Sequence, residues 1–189
     1  MSDPALESTR RRLTAKQADT VDRLGKAAVD LLNRDGFSGL TVRRVAAEAG
    51  VGAATAYTYF SSKEHLVAEV FWRRLVAAPP AAHDTGEPSA RVIDVLRDIT
   101  LLVADEPEFA GAVTNALLSR DPDVEVLRQR IGRDIRDRLT AALGSDTDPD
   151  VIDSLEMLYS GALVRAGMGY ASYAETARRL EKSARLILG

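Results

Sequence analysis

The sequence predicts an all-α protein, and three observations predict it. Ala and Leu dominate the chain while aromatics make up only 5% of it, a balance that favours helix over sheet. Apolar residues recur at three- and four-residue spacings, and no stretch shows a convincing strand alternation. Gly and Pro fall between those periodic stretches, where they stop helices. At 189 residues with 46% hydrophobic content there is room for one large domain or two small ones around a packed core.

The elements follow in order. The first dozen residues are polar and end in Arg10-Arg11-Arg12, so residues 1–17 read as a basic arm. Val21, Leu24, Ala28, Leu31 and Leu32 share one helical face, interrupted at Gly25, and "RDGF" at 34–37 supplies a stop at Gly36. Thr41 is placed to cap a second, short helix whose Val42, Val45, Ala46 and Ala49 share a face, and Gly50 ends it. A third short helix runs from about Gly52 to Tyr59. Ser62 caps a fourth through "KEHLVAEVFWRRLVAA", which Pro79-Pro80 stops. Residues 79–88, with three prolines, a glycine and His83, read as a linker. Five more helices are expected near 89–104, 107–119, 121–143, 149–170 and 173–188. The Asp-Pro pairs at 121–122 and 148–149 mark two of their starts.

Composition narrows the function. With no cysteine, disulfides and thiolate metal sites are excluded. The N-terminus lacks the apolar run of a secretory signal and no stretch approaches a membrane span, so a soluble, cytoplasmic protein with no membrane partner is expected. Residues 1–78 carry 12 Lys+Arg against 9 Asp+Glu, and residues 79–189 carry 13 against 19. That asymmetry points to a polyanion at the N-terminal part. His65 and His83 have no acidic or His partner at ligand spacing, and glycine-rich phosphate loops, nucleophile elbows and paired catalytic acids are absent. The expectation is no metal, no cofactor and no catalysis.

One stretch stands apart. "AGVGAATAYTYFSS", residues 49–62, has no charge in a chain that is 28% charged. Two short helices meeting at a glycine follow the helix-turn-helix plan. Val51 would plug the corner, and Ala56 and Phe60 would face the core. Ala53, Ala54, Thr55 and Thr58 then form a small, neutral surface that fits a major groove without clash. Tyr57, Tyr59, Thr41 and Lys63 can donate to phosphate oxygens, with Arg43 and Arg44 adding attraction. The plain alternative is a buried helical hairpin.

"LTVRRVAAEAGVGAATAYTYFSSKEHLVAEVF" resembles the DNA-binding domain of the TetR/AcrR family of bacterial transcriptional regulators over about residues 18–76. The likeness rests on Gly36-Phe37, Thr41-Val42, "AAEAGV", Thr55, Tyr57, Tyr59-Phe60 and Ser62-Lys63-Glu64. Gly52-Ala53 stands where the family often has Ser-Lys, and Ala56 replaces a usual leucine. The resemblance implies an N-terminal three-helix DNA-binding domain at 18–78 and a helical effector-binding and dimerisation domain at 79–189. It also implies a homodimer on a palindromic double-stranded operator, usually a repressor relieved by a small ligand. An activator or ligand-independent regulator of the same fold is the first alternative, and an adaptor that has lost DNA binding the second.

"MLYSGALVRAGMGYASY", residues 157–173, carries one charge, Arg165, among several small residues. Glycine inside a helix costs about 1 kcal/mol against alanine, so three of them in this stretch, Gly161 and Gly167 among them, suggest close approach of another backbone, from a second copy or from the protein's own core. In the family the last two helices commonly form the dimer interface, which assigns these glycines to it. Trp72, Phe109, Met157, Tyr159 and Met168 are candidates to line an effector cavity, with Arg165 as an anchor for an anionic group.

Overall fold

The computed structural model describes residues 14–78, 86–144 and 146–189. Among them nine helices follow one another: α1 Ala15–Gly39, α2 Val42–Glu48, α3 Ala53–Tyr59, α4 Lys63–Ala77, α5 Pro88–Leu101, α6 Pro107–Leu117, α7 Pro122–Leu143, α8 Pro149–Gly167 and α9 Tyr173–Leu188. Arg10–Arg12, Pro79-Pro80 and His83 lie outside the described residues. The protein is all-α, as the sequence predicts.

The described residues fall into two compact units. One takes in the chain to Val76 together with Glu108–Arg128, and the other holds Ala77–Pro107 and Gln129–Gly189. The first unit therefore recruits α6 and the start of α7, which a division at residue 78 assigns to the C-terminal domain.

In the first unit, α1 begins with a reciprocal cap. Thr14 Oγ1 accepts from the Gln17 N–H at 3.4 Å, and Gln17 Oε1 accepts from the Thr14 N–H at 2.8 Å. Val21, Leu24, Ala28, Leu31 and Leu32 form its buried face. Gly36 breaks the helix with φ 67° and ψ 177°. Gly25, expected to interrupt α1, is helical. A methyl there would sit 3.2 Å from Val70 Cγ2, so the missing side chain lets α4 come close.

The α2–α3 corner explains Gly50. The Val51 N–H reaches the Ala46 carbonyl at 2.8 Å and the Gly50 N–H reaches Ala47 at 3.2 Å. This is the paired bond set of a Schellman ending, which needs a left-handed residue, and Gly50 has φ 63°. Beyond it Ala56 and Phe60 are buried, as their spacing predicts, and Val51 is half-buried.

In the second unit α9 lies against both α5 and α8. Val92, Ile93, Leu96 and Ile99 of α5, Ile152, Leu155 and Tyr159 of α8, and Ala177, Leu180 and Ala184 of α9 are buried. Tyr159 is held neutral, its phenol pushed up by burial and by neighbouring Tyr173. The α8 helix stops at Gly167 rather than near 170. The Tyr170 N–H returns to the Arg165 carbonyl at 3.2 Å and the Gly169 N–H to Ala166 at 2.9 Å, with Gly169 at φ 80°. This is a second Schellman ending. Of the glycines between 157 and 173, only Gly161 lies in a helix interior.

The corner yields a stability prediction. Gly50→Ala meets no neighbouring atom, so its penalty is conformational alone, about 1–2 kcal/mol for a left-handed alanine. Urea denaturation should show that loss with the helical signal of the native state unchanged.

Candidate nucleic-acid interface

The third helix has two faces of different chemistry. Ala56, Tyr59 and Phe60 recur at three- and four-residue spacing and are buried, while Ala54, Thr55, Tyr57 and Thr58 are exposed. Ala53 is half-buried at the helix start. The exposed face carries no charge. Thr58 donates its hydroxyl to its own helix, to the Ala54 carbonyl at 3.0 Å. With that hydrogen satisfied, the methyl is the group best suited to a thymine methyl in the major groove.

Tyr59 is a correction to the predicted contact set. It is 6% exposed, and its ring lies tilted against Phe60 with centroids 6.5 Å apart. Three residues after Ala56, it shares the buried face, whereas Tyr57 is 48% exposed. Tyr59 packs; Tyr57 faces outward.

The flanking polar groups fall into two kinds. Thr41 is exposed and caps α2, its Oγ1 accepting from the Arg44 N–H at 3.2 Å, so the hydroxyl hydrogen remains to be donated. Arg43 is exposed, with no internal hydrogen bond among the described residues. Arg44 is tied back to the Asp35 carboxylate and to the Gly39 carbonyl at 2.5 Å. Lys63 donates to the Phe37 carbonyl at 2.9 Å, with its ammonium 4.1 Å from the Phe37 ring centre. These two cations order the corner between α1 and the helix-turn-helix. The sequence did not reveal this, because their partners lie five to twenty-six residues upstream.

Sequence reasoning also missed a group at the end of α3. Buried His65 has Nδ1 3.3 Å from Ser61 Oγ and 3.7 Å from Asp123, a partner 58 positions away in sequence. Only the fold brings them together.

The predicted effector residues are divided between the two units. Trp72 and Phe109 are buried in the first unit, where the guanidinium of Arg74 lies over Phe109 at 4.3 Å. The Trp72 indole N–H is buried with no hydrogen-bond partner among the described residues. In the second unit Tyr159 is core, and Met168 is 66% exposed beyond the end of α8. Met157, Gly161 and Arg165 do converge, with Arg179 and Leu180 of α9, on an open groove of about 530 Å³. Arg165 sits 5.0 Å over the Tyr170 ring, the contact that accompanies the α8 ending. A side chain on Gly161 would meet nothing within 4 Å. Among the described residues no atom comes close to a Cβ placed at that glycine.

Comparison with known proteins decides the family. Residues 24–70 match the family of bacterial regulatory proteins named tetR. Over 190 aligned residues, 99% of this chain and 88% of the relative, it is 45% identical to an HTH-type transcriptional regulator of Mycobacterium tuberculosis. The chain belongs to the TetR family. It is a DNA-binding transcriptional regulator. It is also 27% identical to the HTH-type transcriptional repressor KstR of Rhodococcus jostii, over 92% of this chain and 84% of that one. The structure resembles the TetR-family repressor FadR of Thermus thermophilus, crystallised with lauroyl-CoA, at TM-score 0.65 and 22% identity, covering 89% and 93% of the two chains. As in other TetR-family regulators, the helix-turn-helix is α2–α3.

The two faces of α3 give opposite expectations for its tyrosines. Tyr59→Phe keeps the packed ring and should leave DNA affinity unchanged. Tyr59→Ala should lower stability by about 3–5 kcal/mol, the usual loss for a buried aromatic, read by thermal denaturation.

Proposed function

We propose that this protein is a cytoplasmic, homodimeric repressor that binds a palindromic operator and is released by a small, mainly apolar ligand. The observation that carries the DNA part is the charge-free exposed face of α3, set on a helix whose other face is core. Two copies of that helix would enter successive major grooves about 34–36 Å apart. Ala54, Thr55 and Thr58, with Ala53 at the edge, meet base edges, while Thr41, Tyr57 and Arg43 meet phosphates. Arg44 and Lys63 hold the corner, and Lys63 adds positive potential. The repressor sign is supported by the names of KstR and FadR.

The dimer reading is supported by the outer face of α8 and α9. Met157 of α8, Leu186 of α9, and Met168 and Tyr170 in the turn between the two helices are all more than 60% exposed, apolar surface of a kind that suits an interface. Gly161 opens onto that face, and Gly167 lies exposed at the end of the same helix. Ligand release is supported by the FadR complex, whose ligand joins an apolar chain to an anionic head. A second reading of the α8–α9 groove follows from its two guanidinium groups, Arg165 and Arg179, beside apolar walls. In that reading Arg165 anchors an anionic group of the effector.

Two measurements test the DNA assignment. Arg43→Ala should weaken binding to all sequences alike and lower the slope of log affinity against log salt by about one unit. Thr58→Ala should keep that slope and relax preference at one or two base pairs in a selection from random DNA. An unchanged selection places a different face of α3 against the bases.

Gly161→Leu tests the dimer, because a Cβ at that position meets nothing within 4 Å among the described residues. The variant should sediment as a folded monomer, whereas a wild type already monomeric at micromolar concentration removes the dimer. Arg165→Ala separates the two readings of the groove. Loss of the dimer makes Arg165 an interface residue. An intact dimer needing more lauroyl-CoA for DNA release makes it an anchor.

A further inference from the structure

The end of the DNA-reading helix is fastened to a segment sixty residues further along the chain. After α3, Ser61 and Ser62 form the turn into α4. Ser62 caps α4, its Oγ accepting from the His65 N–H at 2.9 Å, and donates its own proton to Asp121 Oδ2 at 2.6 Å. Asp121 in turn caps α7, its other oxygen accepting from the N–H groups of Asp123 at 2.8 Å and Val124 at 3.4 Å. The two helix caps are thus bonded to each other. Beside them Ser61 donates to Asp123 Oδ2 at 2.5 Å, and His65, 1% exposed and edge-on to Phe60 at 5.5 Å, completes the cluster. All of these groups belong to the first unit.

We propose that Asp121 and Asp123 are positioning residues for DNA binding, which set the orientation of α3 by gripping the turn at its C-terminal end. Capping α7 alone does not account for the arrangement. A cap needs one carboxylate, whereas here both carboxylates take hydroxyl protons from the two residues that follow Phe60. Both pairs are half-buried, so these charge-assisted bonds are less screened than surface ones. The family match ends at residue 70, so these acids lie outside the segment that defines the DNA-binding domain.

The experiment uses the full-length protein and a duplex selected from random DNA by the wild type. Asp123→Ala should lower affinity about tenfold, the loss of one charge-assisted bond, with an unchanged salt slope because no phosphate contact is removed. Asp123→Asn keeps an acceptor for Ser61 and should recover most of that loss. Adding Ser61→Ala to Asp123→Ala should do no further harm, since both remove the same bond. Amides 53–62 should exchange faster in the alanine variant. Should Asp123→Ala fail to fold, Ser61→Ala, which removes no cap, carries the test and should show the same loss of affinity. Affinity equal to wild type in a folded variant overturns the proposal and leaves Asp123 a structural residue. Tighter binding with a steeper salt slope also overturns it, because the carboxylate then acts by repelling DNA.

Discussion

The DNA-binding surface depends on a corner in which the backbone closes on itself. At Gly50 the chain adopts a left-handed conformation that returns the Val51 N–H to Ala46, and this bond pair fixes the direction in which α3 leaves. The helix that follows is only seven residues long and cannot hold itself together in isolation. Its stability comes from the face it buries, through Ala56, Tyr59 and Phe60, and from the turns at either end. Alanine at position 56 suits this arrangement, because a fully buried site without a long side chain keeps α3 close to the core. The small, neutral outer face is then held rigidly enough to read a groove by shape.

Charge near this surface is arranged in depth. Arg44 and Lys63 both donate to backbone carbonyls at the end of α1, those of Gly39 and Phe37, the second of which also accepts from the Leu40 N–H. Lys63 raises the local positive potential while bound to a neutral carbonyl, whereas the charge of Arg44 is met by Asp35. Arg43, one position away from Arg44 and on another side of α2, has no such internal bond among the described residues. Neighbouring arginines in one motif thus divide into one that shapes the site and one available to a phosphate. An Arg→Lys exchange at 44 would not be neutral, since one ammonium cannot reproduce a guanidinium that bridges Asp35 and Gly39.

Much of this was legible in the sequence because it is local. Thr41, Ser62 and Asp148 cap the helices that they precede, and Gly50 takes the positive φ that the turn requires. The buried face of α1 follows from spacing alone. What the sequence hid is long-range. His65 reads as an isolated histidine until folding brings Asp123 beside it, and "DPDVEV" reads as a helix start without revealing that its acids hold another helix's cap. Tyr57 and Tyr59 look equivalent in composition, and only the register of a seven-residue helix separates them. The candidate effector residues were chosen for size and apolarity, properties that core and cavity-lining positions share, and Trp72, Phe109 and Tyr159 are buried.

Glycine shows the same division most clearly. Gly25 and Gly161 both lie inside helices, and each lowers helix stability by about 1 kcal/mol relative to alanine. At Gly25 the reason is internal, because α4 approaches so closely that a methyl would crowd Val70. At Gly161 a Cβ would meet nothing within 4 Å among the described residues. The same holds at Gly111 and Gly132, so the empty space alone does not mark an interface. The dimer reading rests instead on the apolar side chains exposed on α8, on α9 and in the turn between them, which a second copy would cover. The groove beside Gly161 belongs to the same surface, so a ligand seated there would meet the partner's α8 or α9 as well as Arg165. Ligand binding and dimerisation would then act on one face, each altering the space left for the other.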